Sequence, residues 1–139
     1  MKNEYPVQVH WGDCDPADIV YYPNYFVWID KATHALMAAH GLSQALIEQR
    51  FGIRWFPIAE ASSRFLRPSS HGDEFTIVSR VESWTDKRFT IVHRGLKHGT
   101  LLFEGREARF FGGPHADDPA RLRVVPVPAE ILAIFGKPD

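Results

Sequence analysis

The segment after Pro23 predicts the main helix of the chain. No further Pro or Gly occurs in residues 24–40, and Gly41 supplies a C-terminal stop. Pro23 stands where a helix could begin, because Pro is favoured at the first helical position. Apolar residues recur at three- and four-residue spacing, and together they form a stripe that covers most of the helix circumference (Phe26, Trp28, Ile29, Ala32, Ala35, Leu36, Met37, Ala38 and Ala39). This pattern predicts a helix of about 17 residues that is largely buried.

Shorter patterns on either side of this helix predict an antiparallel sheet. Residues 6–11 alternate apolar and polar side chains and predict a first strand. Ser43 predicts the N-cap of a second, shorter helix that ends at Gly52. Further strands are predicted at 53–66, 74–84, 88–97 and 100–111, followed by a loop, a short apolar strand and a last helical turn at 129–135. Long strands joined by short turns form a meander, so the sequence predicts an α+β fold.

The composition predicts one domain, spanning residues 1–139. Sixteen Lys and Arg stand against 17 Asp and Glu, and the formal net charge of −1 offers no bulk attraction to nucleic acid or to an anionic membrane. A single cysteine, Cys14, cannot form an internal disulfide, so we expect a cytoplasmic setting. The most apolar stretch, 21–39, is interrupted by polar residues, and no signal peptide is visible. One helix covers one face of a sheet and leaves its edges open, so we expect a homo-oligomer.

The stretch GDCDPADIVYYPNY, residues 12–25, contains the candidate chemistry. Asp15 lies seven residues before the predicted helix start at Tyr22. An unperturbed Asp side chain supplies a carboxylate near neutral pH, and a helix start offers unpaired backbone N–H groups suited to a developing oxyanion. A carboxylate facing such a site is what hydrolysis of an activated acyl group needs. Asp-rich turns are also common as purely structural features, and the pattern alone leaves that alternative open.

A calcium site is excluded in this loop. Asp13 and Asp15 match the first two liganding positions of an EF-hand, but Ala17, Asp18 and Asn24 stand where a ligand, Gly and Glu are needed. The histidines lack the spacing of a zinc helix, so no metal site is expected anywhere in the chain.

Together with Trp28-Ile29-Asp30, this stretch resembles the signature of the 4-hydroxybenzoyl-CoA thioesterase family. The resemblance implies a hotdog fold, in which a curved antiparallel sheet of about five strands wraps a long central helix. Looser agreement, at Gly72-Asp73 and Val127-Pro128, extends over nearly the whole chain. It further implies an acyl-CoA thioesterase that is a dimer or tetramer with its acyl pocket at a subunit interface. Coenzyme A would be part of the substrate, and no cofactor is implied.

Carried over by position, the family's catalytic carboxylate falls on Asp15. The tyrosine whose backbone N–H polarises the thioester carbonyl falls on Tyr22. Asp15 would either attack the carbonyl or activate a water, and the sequence leaves both open. Pro23 stands where a sister group acting on short aliphatic acyl-CoAs carries His, which favours an aromatic acyl group such as 4-hydroxybenzoyl. A departure from the family is Asp18, where relatives commonly carry Gly.

Other polar residues are candidates for substrate contacts. Asn24 is expected to cap the helix or orient Asp15. Asp30 is expected either to be salt-bridged, with Lys31 or His34 nearby, or to contact a substituent of the acyl group, which the family's Asp at this position favours. The phosphates of coenzyme A are predicted to bind basic residues at Arg64 and Arg67, or, with more support from the resemblance, at Lys87 and Arg88.

Two alternatives to an aromatic acyl-CoA thioesterase remain open. One is a thioesterase for short- or medium-chain aliphatic acyl-CoA, and the other is a non-catalytic hotdog domain that binds acyl-CoA. A hydratase is disfavoured because the required His is missing between Asp15 and Tyr25.

Overall fold

The computed structural model describes residues 1–138. The chain forms a first strand, a 3₁₀ turn and two helices before the remaining strands, and a short helix ends it. In chain order these are β1 (Lys2–Gln8), the 3₁₀ turn (Trp11–Asp13), α1 (Pro23–Ala39), α2 (Gln44–Phe51), β2 (Ile58–Phe65), β3 (Glu74–Trp84), β4 (Arg88–Lys97), β5 (Thr100–Pro114), β6 (Leu122–Val125) and α3 (Ala129–Phe135).

The strands form one antiparallel sheet in the order β1-β3-β4-β5-β2, and β6 pairs with the end of β5. The sheet therefore has six strands rather than about five. Helix α1 packs on the inner face, where Ile29 lies in one buried cluster with Ile77 and Phe103. Gly105 permits this close approach, because a Cβ there would lie 2.5 Å from Ile29 Cδ1. Strands β1 and β2 form the two edges of the main path.

The bounds of α1 match the prediction, but its predicted burial is wrong for the single chain. Seven of its 17 residues are buried, on the side that faces the sheet. Val27, Lys31, His34 and Ala38 are exposed. The reason is geometric, because one sheet covers one side of a helix and the apolar residues continue around the other side.

Predicted bounds of three strands are also wrong. Strand β5 continues to Pro114 instead of ending at residue 111, because its last residues pair with β6. Strand β1 spans Lys2–Gln8 instead of residues 6–11, with Asn3, Tyr5 and Val7 facing inward. The polar side chains at its start hid this alternation. Strand β2 begins at Ile58 instead of residue 53, because the preceding segment is irregular chain that contains Pro57 and forms an isolated bridge from Trp55 to Gly112 instead of a continuous ladder.

The second helix is confirmed in detail. Ser43 Oγ accepts a hydrogen bond from the Leu46 N–H, and Gly52 ends α2 with a φ of 64°.

Candidate active site

Asp15 lies in a tight turn that connects β1 to α1. Cys14 and Val20 form a bridge, and the Asp15 N–H donates to the Ile19 carbonyl at 2.9 Å. The Asp18 N–H donates to the Asp15 carbonyl, also at 2.9 Å. Both backbone polar groups of Asp15 are therefore engaged, and its position is determined by the backbone of the turn.

The side chain of Asp15 keeps one oxygen available. Its Oδ1 accepts the Ala17 N–H at 2.8 Å, whereas Oδ2 has no hydrogen-bond partner among residues 1–138. The residue is half-buried and forms no ion pair within the part of the chain that the structure describes. Asp18 has a φ of 62°. The backbone there is left-handed, a conformation in which Gly costs least and Asp is tolerated better than most residues.

The start of α1 presents an unpaired backbone donor. Tyr22 immediately precedes the helix and Pro23 occupies its first turn. The Tyr22 N–H has no acceptor within the described residues, and no side chain caps the helix. A substrate oxygen at this point would therefore meet an open N–H and the positive end of the helix dipole.

The predicted capping role of Asn24 is wrong. Its side-chain Nδ2 donates instead to the Asp13 carbonyl at 2.8 Å, and the Tyr21 N–H donates to the same oxygen at 2.9 Å. These bonds join the start of α1 to the turn that carries Asp15. The expectation that Asn24 orients Asp15 stays a prediction, and the bond to the Asp13 carbonyl is the contact through which it would act.

A cleft of about 390 Å³ opens beside Tyr22. Burial raises the pKa of the Tyr25 phenol at its inner side. The lining is mainly apolar and includes one cation (Ile19, Val20, Tyr22, Tyr25, Phe65, Leu66, Arg67 and Pro68). Asp15 is outside this lining, so in the single chain the cleft adjoins the Tyr22 donor but not the carboxylate.

Asp30, which is itself only half-buried, bonds to a charge network whose other members are buried and which the sequence did not reveal. Its Oδ1 accepts the Arg109 Nη2 at 2.6 Å and lies 3.7 Å from His34 Nε2, while Oδ2 has no partner within residues 1–138. Arg109 also donates to both oxygens of Glu107, at 2.9 and 3.0 Å. We define the buried charge network as these groups and the polar residues that contact them (Asp30, Thr33, Ser79, His93, Glu107 and Arg109).

Glu107 is the most strongly perturbed carboxylate of this network. Burial alone would raise its pKa, but hydrogen bonds from His93, Arg109 and Thr33 and the charge of Arg109 lower the pKa to about 2. The Glu107 side chain is 2% exposed. One signal in the sequence could have found it, because Glu107 and Arg109 share the alternation of the buried Phe103 and Phe111 on β5.

The predicted phosphate-binding residues lie apart from one another in the single chain. Arg64 is exposed on the outer face of the sheet, opposite Glu104 on β5. Lys87 and Arg88 are exposed at the hairpin between β3 and β4, where their backbone N–H groups donate to Thr85 Oγ1. Only Arg67, of the four basic candidates, lines the cleft beside Tyr22.

Comparison with known proteins identifies the family. The model of the thioesterase-like superfamily matches residues 9–135. The chain belongs to the thioesterase-like superfamily. It is 33% identical over 135 residues to 4-hydroxybenzoyl-CoA thioesterase from Pseudomonas sp. (strain CBS-3), covering 91% of this chain and 92% of that protein. It is also 33% identical over 86 residues to a 1,4-dihydroxy-2-naphthoyl-CoA hydrolase from Trichodesmium erythraeum (strain IMS101), covering 62% of each.

Solved structures of this superfamily share the fold. A mutant 4-hydroxybenzoyl-CoA thioesterase in complex with 4-hydroxybenzoyl-CoA is 29% identical, with a TM-score of 0.86 and coverage of 97% of this chain and 99% of that one. A gentisyl-coenzyme A thioesterase is 30% identical, with a TM-score of 0.81 and coverage of 97% and 100%. The hotdog fold is therefore confirmed, and so is the expectation of a thioester-hydrolysing enzyme.

Two further observations describe this thioesterase-like chain. No helix within residues 1–138 is both long and apolar enough to cross a membrane. The same residues contain no group of three or more His, Cys, Asp or Glu side chains that could hold a metal ion.

Proposed function

We propose that this protein hydrolyses acyl-CoA thioesters to the free acid and coenzyme A, with an aromatic acyl group such as 4-hydroxybenzoyl favoured. One observation carries the proposal. A backbone-fixed turn presents the unpartnered Oδ2 of Asp15, and the α1 start that follows presents the unpartnered N–H of Tyr22. A carboxylate and an oxyanion donor are the two parts that acyl transfer to water requires.

In the proposed reaction the Tyr22 N–H donates a hydrogen bond to the thioester carbonyl oxygen. Asp15 Oδ2 then either attacks the carbonyl carbon or accepts a proton from an attacking water. Attack gives a mixed anhydride and releases the coenzyme A thiolate, which takes a proton from solvent; water then hydrolyses the anhydride. Charge that develops on the carbonyl oxygen is stabilised by the N–H and by the positive end of α1.

The preference for a hydroxylated aromatic acyl group rests on two supports. The relatives reported above are named for 4-hydroxybenzoyl-, gentisyl- and 1,4-dihydroxy-2-naphthoyl-CoA, which are all acyl groups of this class. Asp30 keeps Oδ2 available while Arg109 holds Oδ1, so we propose that it accepts a hydrogen bond from an acyl hydroxyl. Pro23 at the start of α1, in place of the His of the aliphatic group, agrees with this choice.

The assembly and the coenzyme A contacts are also proposals. We propose a homodimer or homotetramer, because β2 has an open edge and exposed apolar side chains at Ile58 and Phe65. We propose that the coenzyme A bound at the site of a neighbouring subunit places its phosphates against Lys87 and Arg88 at the hairpin and Arg64 on β2. Arg is suited to this because its planar fork binds two phosphate oxygens.

The decisive test is kcat/KM on a panel of thioesters with and without Asp15. We expect 4-hydroxybenzoyl-CoA and benzoyl-CoA to exceed butyryl- and hexanoyl-CoA by about tenfold or more. Asp15→Asn should lower kcat by about a hundredfold or more. Asp18→Asn is the matched control, since it removes a carboxylate from the same turn and keeps a residue that tolerates a left-handed backbone.

Each outcome decides one part of the proposal. Near-normal turnover by a folded Asp15→Asn variant would exclude Asp15 as nucleophile or base. Higher kcat/KM on alkyl thioesters would assign the protein to aliphatic substrates. Tight binding of the panel without product formation would identify a non-catalytic binding domain. Sedimentation of a monomer at assay concentration would contradict the proposed assembly.

A further inference from the structure

The turn that carries Asp15 is attached to a second loop, residues 66–73. The Val20 N–H donates to the Ser69 carbonyl at 2.9 Å. Ser70 Oγ donates to the Asp18 carbonyl at 2.6 Å, a contact between residues 52 positions apart in the chain. The second of these bonds is made by a side chain, so a substitution at Ser70 can remove it.

Ser70 is itself connected to the sheet through Asp73 and Lys97. Its backbone N–H donates to Asp73 Oδ2 at 2.8 Å. Asp73 Oδ1 in turn accepts Lys97 Nζ at 2.7 Å, and Lys97 is the last residue of β4. A chain of three hydrogen bonds therefore runs from the end of a central strand to the Asp18 carbonyl, and charge assists the one made by Lys97.

Asp18 is the residue of the turn that most needs such support. Its φ of 62° is a conformation that Gly adopts at less cost, and no Gly is present there. The Asp18 N–H bonds to the Asp15 carbonyl, so a rotation of the backbone at Asp18 would break the bond that fixes Asp15. Holding the Asp18 carbonyl opposes this rotation.

We propose that Ser70, held by Asp73 and Lys97, is a positioning residue that fixes the Asp15 carboxylate through the Asp18 carbonyl. The catalytic part of this proposal rests on the proposed function. Among the described residues Ser70 makes no hydrogen bond to Asp15 or to the open N–H of Tyr22. Its removal should therefore lower the fraction of enzyme with Asp15 in a reactive position, which lowers kcat and leaves KM nearly unchanged.

The experiment compares Ser70→Ala, Ser70→Thr and Ser43→Ala with the unmodified protein. Ser43→Ala is the matched control, because it also removes a hydroxyl bonded to a backbone group, at the start of α2. We expect Ser70→Ala to lower kcat on 4-hydroxybenzoyl-CoA by about tenfold with KM changed less than about twofold. Ser70→Thr keeps the hydroxyl and should recover most of the loss, and Ser43→Ala should leave kcat within about twofold.

Hydrogen exchange supplies a readout that does not depend on activity. The Asp18 amide, which donates to the Asp15 carbonyl, and the Val20 amide, which donates to the Ser69 carbonyl, should exchange about tenfold faster in Ser70→Ala and at an unchanged rate in Ser43→Ala. If the unmodified protein hydrolyses no thioester, the proposed function fails. The exchange data still test whether Ser70 holds the turn of Asp15 to residues 66–73. Unchanged exchange, faster exchange with unchanged kcat, or an equal loss of kcat in Ser43→Ala each overturns the positioning role.

A second variant covers the case in which Ser70→Ala does not fold. Lys97→Met removes the cation that fixes Asp73 and leaves the Ser70 hydroxyl in place. We expect a smaller fall in kcat, about threefold, and faster exchange at Asp18. No change in either quantity would overturn the part of the proposal that assigns a role to Lys97.

Discussion

Asp15 and Glu107 are both carboxylates close to α1, and the protein holds them by different means. Backbone groups fix Asp15: its own N–H and carbonyl are bonded within the turn, and its carboxylate accepts only the Ala17 N–H among the described residues. Side chains surround Glu107, which accepts two hydrogen bonds from Arg109 and one from Thr33 at 2.6 Å. The first arrangement leaves an oxygen available for chemistry, and the second bonds both oxygens of Glu107 to side chains, one of which, Thr33, belongs to α1.

Asp30 combines the two arrangements. Arg109 holds one oxygen, as it holds Glu107, and the other oxygen has no partner in the described chain, as in Asp15. Its side chain is 45% exposed, against 2% for Glu107. The comparison therefore predicts that mutations of Arg109 and Glu107 lower the free energy of unfolding. Mutation of Asp30 should change substrate preference as well.

The largest expected effect follows from removing the cation at the centre of the network. Arg109→Met leaves Glu107 buried without its counter-charge, so the free energy of unfolding should fall by about 3–5 kcal/mol. Urea unfolding at pH 7 measures it. Asp15→Asn is the control, with an expected change of about 0.5 kcal/mol or less. A loss below about 1 kcal/mol in Arg109→Met would mean that the network is not a major source of stability.

The second prediction concerns acid. The pKa of Glu107 lies at about 2 in the folded chain, below its ordinary value of 4.5, so ionised Glu107 favours the folded state. Its contribution is complete above about pH 5 and is lost as the pH falls toward 2, roughly 3 kcal/mol in all. Urea unfolding between pH 7 and 2.5 should show this loss, and Glu107→Gln should flatten that part of the curve. An equally steep curve in the variant would assign the loss to other carboxylates.

The sequence predicted those parts of this molecule that local signals determine. Helix α1 begins at a Pro and ends before a Gly, and β3 and β4 are bounded by turn residues, so their limits were correct. Strand β1 was shifted because its inward side includes Asn3 and Tyr5, which do not form a clear apolar pattern.

In the candidate site, too, local sequence signals predict some residues, whereas contacts between distant parts of the chain could not be predicted. Asp15 and Tyr22 could be predicted as site residues because they lie in one continuous motif with a helix start. The partner of Asp30 could not be found, since Arg109 is 79 residues away and only the pairing of the strands brings it to α1. The bond from Ser70 to the Asp18 carbonyl could not be predicted either. Its partners are 52 residues apart, and its acceptor is a backbone oxygen, which every residue has.

A smaller effect, on selectivity, is expected at Asp30. Asp30→Asn keeps the shape of the side chain and removes its charge, so a bonded acyl hydroxyl loses a charged acceptor. We expect the ratio of kcat/KM for 4-hydroxybenzoyl-CoA over benzoyl-CoA to fall by about tenfold. Lys31→Gln, a change at an exposed neighbour on the same helix, should leave the ratio unchanged. Equal losses on both substrates in Asp30→Asn would show that Asp30 supports Arg109 and does not contact the acyl group.

The smallest effect is expected at Arg106, which tests whether burial or the number of partners decides the result. Arg106 lies three residues before Arg109 on β5 and also bonds to two carboxylates, Glu82 and Glu104, but on the outer face. Its side chain is 45% exposed, against 3% for Arg109. Water already solvates these charges, so Arg106→Gln should lower the free energy of unfolding by about 1 kcal/mol or less. The loss should be smaller still in 0.5 M salt, where the Debye screening length is roughly 4 Å. A loss as large as that of Arg109→Met would mean that pairing alone stabilises the sheet, whatever its exposure.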